Sequence, residues 1–284
     1  MKNQLRPDRP LDSLCRSPSA SGASVREGSR LTGYVVGASR PEQHWGPNVW
    51  VGPSGLAVDR AGVIGELYAA AAERWVSEGK THHYVLVPAM CADWVESWFR
   101  LGFGLQHVHA VREPGGVPSG AESDNLLLRL ADHRDLDALA ELELLLPAHQ
   151  ARSPVFAAGN PSALSDARRD WEETLGDASS ETWVAELNGR VIGCAMRCPV
   201  ERSHAHSGPA RPENAAILAF AAVFPECLGA GVGRALGRRV LERAGAAGYS
   251  AIVTDWRSAN LQAARAWTGL GFRETYFRLF RRVD

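Results

Sequence analysis

The chain has 284 residues, a formal net charge of -1 at pH 7, and a composition that is 45% hydrophobic and 22% charged. That balance is ordinary for a soluble globular protein and gives no general pull toward nucleic acid or an anionic membrane, so a small molecule or a protein is the expected substrate. No apolar stretch approaches the roughly 18 residues needed to cross a bilayer, and five cysteines with no CxxC pair and no recognisable signal peptide argue for a reducing cytoplasm rather than a disulfide framework.

The length allows one large domain or two of modest size, and two are expected. Residues 1–26, rich in Arg, Ser and Pro without periodicity, are expected to be disordered. From Leu31 the pattern becomes regular. Leu31 to Val36 and Asn48 to Val51 read as strands, Val63 to Glu78 as a helix, Tyr84 to Val87 as a strand, and a second helix runs through Trp94 and Phe99. A Pro/Gly-rich segment from Glu113 to Gly120 separates this part, residues 27–113, from the rest, with 114–124 as the linker.

The second part, 125–284, opens with a strand from Leu126 to Leu130 and a helix from Leu136 to Leu146, which Pro147 is expected to end. A further helix spans about Ser162 to Leu175. Residues 149–161 read as a connection or as part of a loop over an acceptor. Thr182 to Leu187 and Arg190 to Met196 flank Asn188-Gly189, a strong hairpin signal. His204 and His206, near Cys198, lie in a Pro/Ser/Gly-rich loop without defined ligand spacing, so no metal site is expected. Cys194 and Cys198 fall on one strand face roughly 13 Å apart, too far to bond.

The most informative stretch is Ile217 to Leu236, ILAFAAVFPECLGAGVGRAL. It reads as strand, glycine loop and helix, and alternate glycines at a helix start let bare N–H groups converge on a phosphate or pyrophosphate. A P-loop is excluded because Arg234 and Ala235 follow Gly233, and a dinucleotide fingerprint fits poorly because Arg234 takes the third-glycine position. The pattern V-x-P-x-x-(R/Q)-x-x-G-x-G/A is met by Val223, Pro225, Gly231 and Gly233, with Leu228 in the Arg/Gln slot. Downstream, Asn260, Ala263, Gly271 and Phe272 meet N-x-x-A-x-x-x-(Y)-x-x-x-G-F, with Trp267 in place of tyrosine.

On these two motifs the region 125–284 resembles the GNAT N-acetyltransferase superfamily. The resemblance implies an α/β (α+β) fold with a mixed, mostly antiparallel sheet flanked by helices. It also implies acetyl-CoA as co-substrate and direct transfer of the acetyl group to a primary amine of a small molecule or peptide. Ala221, Ala222 and Val223 would meet the pantetheine through main chain; Leu228, Gly229, Ala230, Gly231, Val232, Gly233 and Arg234 would surround the pyrophosphate. Asn260 would be a side-chain contact or a helix cap. Asp255, five residues before Asn260, is a candidate base, directly or through water, or a strand-end Asp paired with Arg257 or capping the next helix. Trp267 stands where the family often has a tyrosine that protonates the departing sulfur; an indole cannot do so, and such general acid help is typically worth about 10²- to 10⁴-fold.

Residues 27–113 echo the same order: Leu67 to Gly79 parallels Leu236 to Gly248, and Gly102-Phe103 parallels Gly271-Phe272. The first copy is four residues short in the loop region, with Cys91 where the second has Asn260, and reads as an incomplete, non-catalytic GNAT-like lobe. Two functions are consistent with this chain: an active N-acetyltransferase, or a non-catalytic GNAT-fold module that binds an acyl-CoA or a partner. Acceptor identity and oligomeric state are open.

Overall fold

The computed structural model describes residues 20–115, 125–157, 163–203 and 205–284. The linker expected at 114–124, residues 1–19 of the expected disordered segment, and His204 lie largely or wholly outside them. Residues 21–26 do not follow that expectation. Their alternating pattern SGASVRE forms β1 (Ser21–Glu27), antiparallel to β2 (Arg30–Gly37), because the partner strand satisfies backbone groups that the short segment could not satisfy alone.

By its contacts the chain divides into two units, the first being residues 1–109, 207–210 and 274–284 and the second residues 110–206 and 211–273. The C-terminal strand thus belongs with the N-terminal part, which the boundary at 113 read from the linker composition did not anticipate.

In the first unit, β2 also pairs with β4 (Leu56–Val58). A second group has the order β3 (Asn48–Val51), β5 (His82–Pro88), β12 (Arg273–Arg282) and β6 (Gly104–Arg112). The β3–β5 pair is parallel and β5–β12 antiparallel. A short helix α1 (Glu42–Trp45) precedes β3; α2 (Ile64–Ser77) and α3 (Ala92–Arg100) supply Leu67, Tyr68, Ala71, Trp75, Val95 and Trp98 to a core with Val35, Val85 and Leu279. These positions on α2 recur at helical spacing, so the helix buries one stripe.

The second unit has the strand order β11 (Ala251–Arg257), β10 (Ala215–Val223), β9 (Arg190–Pro199), β8 (Glu181–Leu187) and β7 (Leu126–Leu130). The β7–β8, β8–β9 and β9–β10 pairs are antiparallel and β10–β11 is parallel. Asn188 and Gly189 both take positive φ, 52° and 77°, as a tight hairpin between β8 and β9 requires. On one face lie α4 (Leu136–Gln150) and α5 (Leu164–Gly176), burying Leu136, Leu139, Ala140, Leu142, Ala167 and Trp171 against Val184, Cys194 and Phe224. Helix α4 runs on past Pro147, which was expected to stop it. Helices α6 (Val232–Ala246) and α7 (Leu261–Gly269) complete the unit. The result is a mixed α/β fold with a mostly antiparallel sheet flanked by helices, as the motifs implied.

The two units share local geometry. Gly79 and Gly248 close α2 and α6 at φ 77° and 82°, and Gly102 and Gly271 close α3 and α7 at 80° and 86°. In each case the residue after the glycine returns a hydrogen bond to the helix: Lys80 N–H to Trp75 O, Tyr249 N–H to Ala244 O, Phe103 N–H to Trp98 O, and Phe272 N–H to Trp267 O. This is the left-handed glycine cap, the conformation that glycine alone adopts without steric cost.

Candidate functional site

The site is built on the point where β10 and β11 separate. Their parallel pairing covers only Ala215–Ile217 against Ala251–Val253, whereas β10 stays paired with β9 as far as Val223. Beyond Ile217 one edge of β10 therefore faces no partner strand. Two features hold the split. The β9 register shifts between Leu218 and Phe220, which makes Ala219 a bulge residue and bends the strand. The buried Thr254 hydroxyl donates to Leu218 O at 3.1 Å, so the first carbonyl past the last ladder pair is satisfied.

The bulge also decides what faces where. It keeps Ile217 and Phe220, three residues apart, on one face, and puts Phe220 and Ala222 toward α4 and α5. Val223 points the other way, against Gly233 at the start of α6. The main chain of Ala221, Ala222 and Val223 lies along the unpaired edge.

At the end of β10, the turn Pro225–Cys227 leads into the glycine loop. Gly229 and Gly231 have φ of 84° and 80°, and a side chain added at either would meet nothing within 4 Å. The loop is open as well as left-handed. Gly231 caps α6 without any side-chain bond, and the first bond into the helix is Ala235 N–H to Gly231 O. Among the described residues, the N–H groups of Gly229, Ala230, Gly231, Val232, Gly233 and Arg234 meet no protein acceptor. A helix start with such free donors and its dipole favours an anion. The donor set and the open space fit a pyrophosphate, and the free strand edge fits an amide-bearing chain.

The flanking residues are less uniform. Leu228 is 52% exposed and contributes no polar group. Arg234 is exposed, with its guanidinium within 3.7 Å of where a Gly269 side chain would begin. Of the other arginines on α6, Arg238 is buried, and Arg239 and Arg243 lie over the Trp183 ring at 5.2 and 5.9 Å. The long stems cover apolar surface that the helical pattern alone leaves undecided. Glu226 is held by Arg190 at 3.0 Å on the surface.

Asn260 is buried and caps α7, its side chain accepting from Ala263 N–H at 3.1 Å. Asp255 lies inside β11, which runs on to Arg257, and not at the strand end expected from its sequence. It stands on the arm of β11 past Val253, the last residue paired with β10. Trp267 is 9% exposed, packs edge-on to Phe272 at 6.3 Å, and reaches α6 at Gly237, where the missing side chain leaves room for Leu270.

One carboxylate went unnoticed in the sequence. Glu143 continues the buried stripe of α4 formed by Leu136, Leu139 and Ala140, at the i+7 position. Burial, with the nearby Asp170 adding to it, pushes its carboxyl above the usual range. An acid at an inward helical position was the available signal.

The loops at 149–161 expected to cover an acceptor are described only to Ala157. His206, in the histidine loop, is buried and lies 3.0 Å from Ser203 Oγ. Among the described residues no group of three or more His, Cys, Asp or Glu side chains is arranged to hold a metal, and no helix is long and apolar enough to cross a membrane.

Split parallel strands leading into an open, anion-receptive helix start place this unit in a class of mixed α/β folds with a free strand edge beside a glycine loop. Residues 145–272 match the sequence model of the acetyltransferase (GNAT) family. Human N-acetyltransferase 8B is 32% identical over 112 residues, 38% of this chain and 47% of that protein. N-acetylaspartate synthetase of Rattus norvegicus is 35% identical over 91 residues, 32% of this chain and 27% of that protein. The matches thus span half or less of these relatives. Among solved structures, a GCN5-related N-acetyltransferase from Sphaerobacter thermophilus has a TM-score of 0.58 at 13% identity, covering 91% of this chain and 78% of that one. One from Kribbella flavida has 0.54 at 13%, covering 96% and 93%. These two share the fold across both units.

Proposed function

We propose that this chain is an N-acetyltransferase that uses acetyl-CoA and transfers the acetyl group directly to a primary amine of a small molecule or peptide. The observation that carries the reading is the open glycine cradle of Gly229 to Arg234 continuous with the unpaired β10 edge, inside the segment that matches the family. When bound, acetyl-CoA supplies an acetyl thioester as electrophile. The N–H groups from Gly229 to Arg234 would hold its pyrophosphate, with help from the Arg234 charge. The main chain of Ala221, Ala222 and Val223 would continue the sheet along the pantetheine. Asn260, by capping α7, fixes the wall across the split, and Asp255 places negative charge on the outer arm of β11, where it draws a protonated amine and can relay a proton through water. Trp267 serves packing, so the departing sulfur leaves as thiolate or takes its proton from elsewhere.

In this reading the active lobe is the second unit, and the first is a non-catalytic lobe of the same descent. Its β4-to-α2 connection is only Asp59–Val63, with Val63 rather than a left-handed glycine at the helix cap, and Cys91 caps α3 without a side-chain bond. A cytoplasmic location accompanies the proposal. The second reading, a non-catalytic module that binds an acyl-CoA or a partner, is favoured by Leu228 in the loop and by the buried Trp267.

Calorimetry with acetyl-CoA tests the site, on the intact protein and on a Gly231→Trp, Gly233→Trp variant. Micromolar binding that the variant abolishes is expected. Absence of binding by folded wild-type protein overturns the reading, and binding without release of free thiol in the presence of amines supports the module.

A further inference from the structure

Strand β7 is the outermost strand of the second unit's sheet: it pairs with β8, and among the described residues no strand lies on its other side. The strand reads LLLRL from Leu126 to Leu130. Proteins commonly guard such an edge with a lysine, a proline, a bulge or a covering segment. Here the β7–β8 register runs without a shift, there is no lysine or proline, and the one charge, on Arg129, is tied to Asp135 and Glu186. Leu127 and Leu130 are open to solvent, 54% and 49% exposed. Other edges in the chain differ. β1 presents Ser, Arg and Glu, and β3 is closed by Ala38, which exchanges both backbone bonds with Trp50.

The ladder decides which backbone groups face outward. Ala131 N–H donates to Thr182 O in register with the β7–β8 pairs, so residues 131, 129 and 127 turn their N–H and C=O groups toward β8. Those of Leu126, Leu128 and Leu130 point away from the sheet. This outward set is symmetric about Leu128. A second β7 laid antiparallel, with a two-fold axis at Leu128, matches Leu128 with Leu128 and Leu126 with Leu130. Each outward-facing residue then lies opposite another, which is the condition for exchanging both backbone bonds.

The side chains match as well. Leu126, Leu128 and Leu130 share the face of Trp183, which stands directly opposite Leu130, so two copies bring together two rows of three leucines. On the other face Leu127 meets Arg129 of the second copy. That guanidinium already bonds its own Asp135 at 2.7 and 2.8 Å and Glu186 at 2.9 Å. It offers its apolar stem to Leu127 without bringing an unpaired charge to the axis.

We infer that this edge is an interface between two copies of the chain, β7 pairing antiparallel with β7 about a two-fold axis at Leu128 to make one continuous sheet. Such a contact is isologous and consumes the edge of both copies, so assembly stops at the dimer. β7 stands three strands from β10, about 14 Å at the usual strand spacing. The pairing therefore leaves the glycine loop and the split between β10 and β11 open, and it is independent of the functional reading of that site.

Sedimentation or light scattering of the full chain over a wide concentration range tests the pairing, with a mass twice that of the chain expected. Leu128→Pro keeps the ladder to β8, which uses residues 127 and 129, and removes the central donor of each copy. It should weaken the dimer at least about tenfold. Leu128→Lys sets two like charges directly opposite each other and should dissociate it. Cysteines read the register. Under mild oxidation Leu128→Cys should give a cross-linked dimer, because an exchanged pair holds its Cα atoms about 5.5 Å apart, within disulfide reach. Leu126→Cys, with its two copies roughly 14 Å apart, should cross-link no more than wild type. A wild-type mass of one chain at every concentration, larger assemblies in place of the dimer, a dimer that persists in both Leu128→Pro and Leu128→Lys, or a cross-link through residue 126 and not 128 would overturn the inference. Should the proline or lysine variant lose its fold by circular dichroism, the two cysteine variants decide alone.

Discussion

Thr254 donates its hydroxyl to the Leu218 carbonyl at 3.1 Å, in the buried interior where β10 and β11 cease to pair. A carbonyl at that place would otherwise be buried without a donor, because its ladder partner has turned away. Thr254→Val keeps the shape and removes the donor, so it should cost about 1 to 3 kcal/mol. Thr254→Ser should recover most of that. Urea unfolding midpoints at constant m-value measure both, and a Thr254→Val midpoint equal to wild type would show that water satisfies Leu218 instead.

Gly231 isolates backbone strain from steric contact. Its φ is 80° and nothing lies within 4 Å of the position a side chain would take. Gly231→Ala should therefore lose about 1 to 2 kcal/mol purely from the left-handed conformation, and Gly231→Asn should lose less, because Asn tolerates that region. Equal losses for the two variants in a denaturant titration would mean that the loop refolds around the substitution.

The glycine loop was legible in the sequence because its physics is local. Alternate glycines, the preceding proline and the helix period all lie within Ile217 to Leu236, and the structure realises them in chain order. The strand bounds Leu126–Leu130 and Asn48–Val51 and the Asn188-Gly189 turn were readable for the same reason. What was not legible depends on partners distant in sequence. Ser21–Glu27 is a strand only because β2 lies beside it, the C-terminal strand joins β5 across about two thirds of the chain, and α4 passes Pro147 because its packing outweighs one missing bond. Glu143 was hidden differently: the helix stripe that makes it inward-facing was visible, but its neighbours Asp170, Trp171 and Cys194 come from two other elements.

Arg129 holds the start of α4 to the sheet edge. Its guanidinium bonds both Asp135 oxygens at 2.7 and 2.8 Å and Glu186 at 2.9 Å, while Asp135 also accepts from Asp132 N–H in a capping box. Asp135 is 4% exposed. Arg129→Ala leaves that carboxylate buried without its counter-charge and should cost about 3 kcal/mol, toward the lower end of the usual range because water reaches Arg129. Calorimetric or denaturant unfolding checks it, and a loss under about 1 kcal/mol would place the pair among ordinary surface ion pairs.

His83 gives the first unit a pH dependence of known sign. It is 1% exposed, its Nε2 lies 3.0 Å from the Lys80 carbonyl and its Nδ1 2.8 Å from the Tyr68 hydroxyl. A carbonyl only accepts, so Nε2 carries the proton and Nδ1 accepts from Tyr68. The ring is thus held neutral, and burial lowers its pKa below 6.5, with repulsion from Arg281 and His82 acting in the same direction against the Lys80 bond. The unfolded chain then binds the proton more readily than the folded one. Stability from this group is complete above about pH 6.5 and is lost as pH falls from there through the folded pKa, with a limiting slope of about 1.4 kcal/mol per pH unit. Unfolding measured from about pH 7.5 down to 5 should show this decline in the wild type, and His83→Gln, lower in stability at neutral pH, should show a shallower one over the same interval. Parallel curves for the two proteins would mean that His83 is protonated in the folded state at little cost, which the donor geometry at Lys80 and Tyr68 opposes.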